Sequence, residues 1–159
     1  MIELFDLTFY ERFNTRLVKG AGEPVYLPAN DQVDYHQVVF AHGFFASALH
    51  EIAHWCIAGP QRRLQLDYGY WYAPDGRTAE QQRQFQQVEV LPQAYEWAFC
   101  LACGLEFTLS SDNLNGDKTD ELAFKSDVAY ALAKLMNTGY SGRAKDFIQA
   151  LRSEYYPES

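Results

Sequence analysis

The segment His50-Glu51-Ile52-Ala53-His54 constrains this chain more than any other feature of its sequence. Residues four apart on a helix lie one turn apart on the same face, so a helix here lets both imidazoles bind one metal ion. The flanks favour a helix, because residues 44–49 contain neither Gly nor Pro and Gly59-Pro60 follows as a stop signal. The pattern therefore predicts a helical metal site with Glu51 beside a metal-bound water. The alternative is two ordinary histidines on a half-buried helix.

Length and composition indicate one domain over residues 1–159 with its own core. Hydrophobic residues make up 48% of the chain and charged residues 21%, close to the averages of globular proteins. The net charge of −8 argues against direct nucleic-acid binding, for which a basic stripe is typical. No opening segment has the order of a signal peptide, and no apolar run is long enough to span a membrane. Together with three cysteines, this predicts a cytoplasmic protein with no membrane partner.

Hydrophobic periodicity predicts a mainly helical α+β fold with a minor β-sheet. An amphipathic helix is expected over residues 6–18. Strands are expected at 38–41 and 66–72, and residues 24–28 are expected to be an edge strand or a loop because prolines bound them. Later helices are expected at 78–87, 88–104, 118–137 and 142–155. Pro92 is compatible with its helix only in the first turn, where its missing N–H has no partner to lose.

A third protein ligand is expected, because catalytic metal sites commonly use three and leave one position open. Glu89, Gln93 and Glu96 share one polar stripe of the predicted helix 88–104, and a cation would partner a carboxylate there. We favour Glu89, because it comes at the start of that helix, where the helix dipole stabilises negative charge. Glu96 is the alternative ligand or a partner that orients a histidine. Both glutamates could instead be ordinary surface residues.

These residues taken alone favour a zinc metallopeptidase. Two histidines of an H-E-x-x-H helix and a glutamate on a second helix form a gluzincin-like arrangement, with the metal between the two helices. In such enzymes the glutamate of the motif, here Glu51, takes a proton from zinc-bound water.

Several segments beyond the metal motif carry a more specific resemblance. They are residues 42–59, 67–72 with 74–77, 88–90 with 92–94, and 112–114. Together they resemble the bacterial elongation factor P hydroxylases. The resemblance implies a non-haem metal-dependent hydroxylase that adds oxygen to the β-lysyl-modified lysine of elongation factor P. Elongation factor P would then be the protein partner of this chain.

The resemblance also implies a ligand set of His50, His54 and Glu89. Such a set suits Fe(II) with dioxygen as co-substrate, because it leaves positions open on the ion. The motif spacing differs from that of 2-oxoglutarate-dependent oxygenases, so we assign no such co-substrate. Glu51 stays near the metal as the candidate catalytic residue. Its role is left open between proton relay, support of a ligand and electrostatic tuning.

The candidate substrate-binding residues are Asp67, Tyr70 and Tyr72. In a strand, alternate residues face the same side, so the tyrosines could line a slot for a long lysyl side chain. Asp67 or Asp75 could then bind its ammonium group. Aromatic packing in the core explains the same pattern equally well.

Overall fold

The computed structural model describes residues 1–67, 76–110, 121–140 and 142–157. Within these ranges the chain is mainly helical with a three-stranded sheet, which confirms the predicted α+β character. In chain order the elements are α1 (Ile2–Phe13), β1 (Thr15–Gly20), β2 (Val25–Leu27), β3 (His36–Ala41), α2 (Phe45–Ile57), α3 (Ala79–Cys103), α4 (Glu121–Thr138) and α5 (Gly142–Tyr155). No helix of these described ranges is both long and apolar enough to cross a membrane.

The first helix ends earlier than the sequence predicts. The predicted helix over 6–18 is confirmed for residues 6–13 and wrong beyond them, because α1 stops at Phe13 and Leu17 belongs to β1. Asn14 ends α1 in the left-handed conformation with φ of 48°, which asparagine tolerates better than most residues. β-Branched Thr15 then favours a strand. Leu17 is apolar and buried in β1, and it would also be buried on the apolar face of a helix. The helical spacing of the apolar residues therefore predicted a helix that is too long.

The sheet delivers the chain to the helix of the metal motif. β3 is the central strand, parallel to β1 and antiparallel to β2. This confirms the predicted strand at 38–41 and, for residues 24–28, the edge strand rather than the loop. His42 and Gly43 then turn the chain into α2 with φ values of 53° and 75°.

One long helix replaces the two predicted over 78–87 and 88–104. α3 begins at the predicted cap, where the Thr78 hydroxyl accepts from the backbone N–H of Gln81 in a capping box. Gly104 ends it with φ of 74°. Pro92 lies in the interior rather than in a first turn, so that prediction is wrong. The missing N–H removes one hydrogen bond, but most of a helix's stability comes from the face it buries, and α3 is buried on both sides of Pro92.

An aromatic core holds α1, α2, α3 and α5 together. Phe5 and Phe9 of α1 contact Trp55 of α2 and Phe147 of α5, and Phe99 of α3 contacts Phe147. The four phenylalanines are fully buried, and Trp55 is 3% exposed. The packing fixes α2 against α3, the two helices that carry the candidate ligands.

The predicted C-terminal helices are confirmed as α4 and α5.

Candidate metal centre

α2 brings the two histidines of the motif together. Ala48, Leu49 and Ile52 face the core and are buried, which leaves His50 and His54 on the adjoining face. Their Nε2 atoms lie 3.1 Å apart, and each side chain is about a fifth exposed, at 23% and 21%. α2 ends at Ile57, just before the predicted stop at Gly59-Pro60.

Glu89 of α3 completes the group. Its Oε1 lies 2.9 Å from His54 Nε2, and its Oε2 lies 3.5 Å from His50 Nε2. One ligand atom from each of the three residues falls within 4.8 Å of the other two. Two imidazole nitrogens and one carboxylate oxygen that converge in this way form a donor set that divalent transition metals take. The structure therefore brings together the three residues named from the sequence as ligands.

Glu89 does not lie at the start of its helix, so the prediction that the helix dipole stabilises its charge is wrong. Because α3 begins at Ala79, Glu89 lies inside the helix, where the helix dipole gives it little support. The residue is 3% exposed, and its carboxylate contacts both histidines instead. Neither Glu89 nor Glu96, which is 6% exposed, is the ordinary surface residue that the sequence also allowed.

Glu96 contacts the other nitrogen of the His50 ring. Its Oε2 lies 2.8 Å from His50 Nδ1. A proton on Nδ1 that is donated to Glu96 leaves the lone pair of Nε2 directed at Glu89 and His54. This places Glu96 where a carboxylate orients a metal-binding histidine.

Gln93 joins this stripe of α3 to the chain that follows the helix. Its side-chain amide donates to the Ser110 carbonyl at 2.7 Å and accepts from the Ser110 N–H at 3.1 Å. The same amide nitrogen lies 3.4 Å from Glu89 Oε2. The polar stripe indicated Gln93, but its partner Ser110 lies 17 residues further along the chain, and no local pattern in the sequence predicts this contact.

The carboxyl groups of Glu51, Glu89 and Glu96 lie close enough to His50 for their negative charges to affect its pKa. Burial lowers the pKa of His50, but the hydrogen bond with Glu96 and the charges of Glu89 and Glu96 outweigh burial and raise it well above its usual range. Burial raises the pKa of Glu89, yet the hydrogen bond and charge of His54 outweigh it and bring the pKa below the usual range. The group thus favours one or more positive charges at its middle. A divalent cation bound to neutral imidazoles meets the same demand, so the residues fit a metal ion.

A cavity of about 30 Å³ adjoins the centre. Its wall includes Glu51 and His54 of α2, Tyr26 of β2, and Asp67. Glu51 therefore lies beside the candidate ligands, and Asp67, one of the predicted substrate-binding residues, lines the same space. Tyr70, Tyr72 and Asp75 lie outside the described residues. The sequence contained no signal for Tyr26, because β2 and α2 are brought together only by the fold.

The remaining histidines do not belong to this group. The ring of His36 accepts a hydrogen bond from the Ala29 N–H at 2.9 Å, and His42 is exposed in the turn before α2. Within the described residues the metal-ligand candidates that converge are His50, His54 and Glu89.

The fold and the centre define a mainly helical protein with a candidate metal site of two histidines and one glutamate. A family model for elongation factor P hydroxylase matches residues 4–159. A protein of Haemophilus influenzae described as elongation factor P lysine hydroxylase is 49% identical over 158 residues, which cover 99% of this chain and 89% of that protein. The chain belongs to the elongation factor P hydroxylase family. This confirms the hydroxylase prediction, and neither match supports the zinc metallopeptidase alternative.

Proposed function

We propose that this chain, as a single domain over residues 1–159, hydroxylates the β-lysyl-modified lysine of elongation factor P in a metal-dependent reaction. Family membership over nearly the whole chain supports the reaction and the partner. The observation that carries the metal dependence is the convergence of His50 Nε2, His54 Nε2 and the Glu89 carboxylate.

The proposed cofactor is Fe(II), with dioxygen as co-substrate. Two imidazoles and one carboxylate on one side of the ion leave the positions open that non-haem iron oxygenases use. A bound iron would supply dioxygen activation: one oxygen atom would enter a C–H bond, and the other would leave as water with two electrons from an external reductant and two protons. Two ligands on α2 and one on α3 would form a gluzincin-like arrangement. In this proposal that arrangement serves oxygen chemistry rather than peptide hydrolysis.

The chain's own residues have separate tasks in this proposal. His50, His54 and Glu89 hold the ion, and Glu96 keeps the His50 ring in the tautomer and orientation that binding needs. Glu51 lies in the cavity wall next to His54 and is the candidate catalytic residue. There it can hold or move a proton beside His54.

The charges near the centre favour a lysine-derived substrate. Asp67 provides a carboxylate for an ammonium group, and the net charge of −8 favours the approach of a cationic side chain. Tyr70 and Tyr72 remain predicted substrate-binding residues. A cytoplasmic setting agrees with the unpaired thiols of Cys56, Cys100 and Cys103.

The direct test is the intact mass of elongation factor P. β-Lysyl-modified factor is incubated in air with Fe(II)-loaded protein and a chemical reductant, and fragmentation locates any added atom. We expect one oxygen atom on the modified lysine. Glu89→Gln should abolish the gain, whereas Glu80→Gln, an exposed glutamate on the same helix, should not.

The Haemophilus influenzae relative is the positive control for this assay. If that protein modifies the factor while this chain adds no oxygen, the proposed function is wrong.

A further inference from the structure

Arg143 of α5 binds the end of α2, directly after the second histidine of the metal motif. Its Nη2 donates to the Ala58 carbonyl at 2.6 Å and to the Cys56 carbonyl at 3.2 Å. Its guanidinium carbon lies 4.5 Å from the centre of the Trp55 ring, within the range of a cation–π contact. Three of the four residues that follow His54 therefore contact one side chain of a helix that is distant in sequence.

The end of α2 has no cap of its own. The last carbonyls of a helix find no partner within it, and a residue in the left-handed conformation often supplies one. α2 ends at Ile57, and Ala58 follows with φ of −59° and ψ of 123°, while the φ of Gly59 is not positive. The guanidinium of Arg143 bonds two of these carbonyls instead. A positive charge is favourable there, because the helix dipole is negative at this end.

The surroundings of Arg143 in its own helix do not explain its position. α5 begins at Gly142, so the arginine lies in the first turn, where the helix dipole disfavours a positive charge. Burial and the nearby charge of Arg63 lower the pKa of Arg143. It forms no ion pair with any residue that the structure describes, and Asp146 one turn later pairs with Arg12. The contacts with α2 are what stabilise this cation.

These contacts continue to a candidate metal ligand. Ala58 is held at its carbonyl by Arg143, and its N–H donates to the His54 carbonyl at 3.0 Å. His54 lies in the last turn of α2, and its Nε2 is 2.9 Å from Glu89 Oε1 on α3. The ends of helices open more readily than their centres. A last turn that is held from outside therefore keeps the His54 ring where it meets Glu89.

We propose that Arg143 is a positioning residue of the metal centre, which holds the last turn of α2 so that His54 is directed at Glu89 before an ion binds. This inference rests on the proposed function. A ligand that is fixed before binding loses little conformational freedom on binding, so the affinity for the ion is higher. The C-terminal helix α5 thus contributes to the centre without supplying a ligand.

The first measurement follows the end of α2 in the metal-free protein, by amide hydrogen exchange observed with NMR. Arg143→Met keeps an apolar stem and removes the donors. It should speed exchange at the Ala58 amide by about tenfold or more, the size expected from loss of a hydrogen bond to a charged group. The change at Phe99, a fully buried residue of α3 that reports opening of the whole fold, should be smaller. Arg143→Lys should lie between, because an ammonium group can still bind one carbonyl.

The second measurement is the affinity of the folded protein for Zn(II), by competition with a chromophoric chelator. Arg143→Met should bind the ion about three- to tenfold more weakly, and Arg143→Lys should recover part of the loss. A residue that only stabilised the fold would lower the midpoint of urea unfolding and leave this affinity unchanged. The matched control is Arg12→Met, which breaks the ion pair with Asp146 between α1 and α5. It should change neither the affinity nor the exchange at Ala58.

An Arg143→Met variant with wild-type affinity for Zn(II) overturns the inference, and so does an equal loss of affinity in Arg12→Met. If Arg143→Met does not fold, Arg143→Lys decides. It must then bind Zn(II) more weakly than the wild type and exchange faster at Ala58, and wild-type values for both overturn the inference.

The wild type separates this inference from the proposed function. A wild-type protein that binds no metal ion contradicts both. A wild-type protein that binds the ion and adds oxygen to elongation factor P, beside an Arg143→Met variant of equal metal affinity, contradicts the role of Arg143 alone.

Discussion

Replacing Glu96 with alanine tests how a buried carboxylate supports the metal centre. Glu96 Oε2 lies 2.8 Å from His50 Nδ1, and the residue is 6% exposed. Without it, the His50 ring loses the contact that fixes its tautomer and orientation. Loss of such a partner typically lowers metal affinity about 10- to 100-fold, which corresponds to about 1.4–2.8 kcal/mol. Glu96→Gln should fall at the lower end, because its amide oxygen can still accept from Nδ1.

The assay is a competitive titration of Fe(II) or Zn(II) against a chromophoric chelator under anaerobic conditions. Glu89→Ala provides the upper reference, since it removes a proposed ligand and should abolish measurable binding. Glu80→Ala, at an exposed position of α3, provides the lower reference and should bind as tightly as the wild type. If Glu96→Ala loses more affinity than Glu89→Ala, the assignment of the third ligand is wrong.

Three further predictions follow from burial and charge in the rest of the molecule. His54→Ala should bind no metal yet unfold cooperatively in urea, because its side chain is 21% exposed and lies outside the aromatic core; loss of the cooperative transition would contradict this. Phe99→Ala should lower the free energy of unfolding by about 3–5 kcal/mol, because Phe99 is fully buried. Leu7→Ala, at an 86% exposed position, should change that free energy little, and equal effects of the two variants in urea denaturation would refute the packing argument. Burial raises the pKa of the Cys56 and Cys100 thiols to about 12, so their thiolate fraction at pH 8 is very small. Alkylation by iodoacetamide should therefore be slower than for an exposed cysteine by on the order of a thousandfold, and rapid labelling of the folded protein would contradict this prediction.

Local signals in the sequence were enough for the parts of the fold that have local causes. The absence of Gly and Pro from residues 44–49 and the stop at Gly59-Pro60 predicted α2, and flanking prolines favoured an edge position for β2. The predictions failed where packing across the chain decides. The boundary between α1 and β1 depends on the left-handed Asn14, and α3 continues through Pro92 because both sides of it are buried.

In the candidate centre, too, the sequence predicted what has a local cause and did not predict what depends on packing across the chain. The polar stripe of α3 identified Glu89, Gln93 and Glu96 as special, because a helix sets their common face whatever lies opposite. The packing of α3 on α2 decides which glutamate contacts which histidine nitrogen. The hydrophobic periodicity of the sequence carries no information about that packing. The contact of Asp67 with Tyr26 and the position of Arg62 in the cavity wall likewise arise from the pairing of distant segments.

The central claim is that His50, His54 and Glu89 hold one metal ion, and metal-bound crystals test it most directly. Anomalous scattering from crystals grown with Fe(II) without oxygen, or with Zn(II) as a stand-in, locates the ion independently of any assumed ligand. We expect one peak about 2.0–2.2 Å from Nε2 of both histidines and from a Glu89 carboxylate oxygen, with Glu96 still bound to His50 Nδ1. A peak coordinated by Glu96 in place of Glu89, or no peak between α2 and α3, would contradict the account.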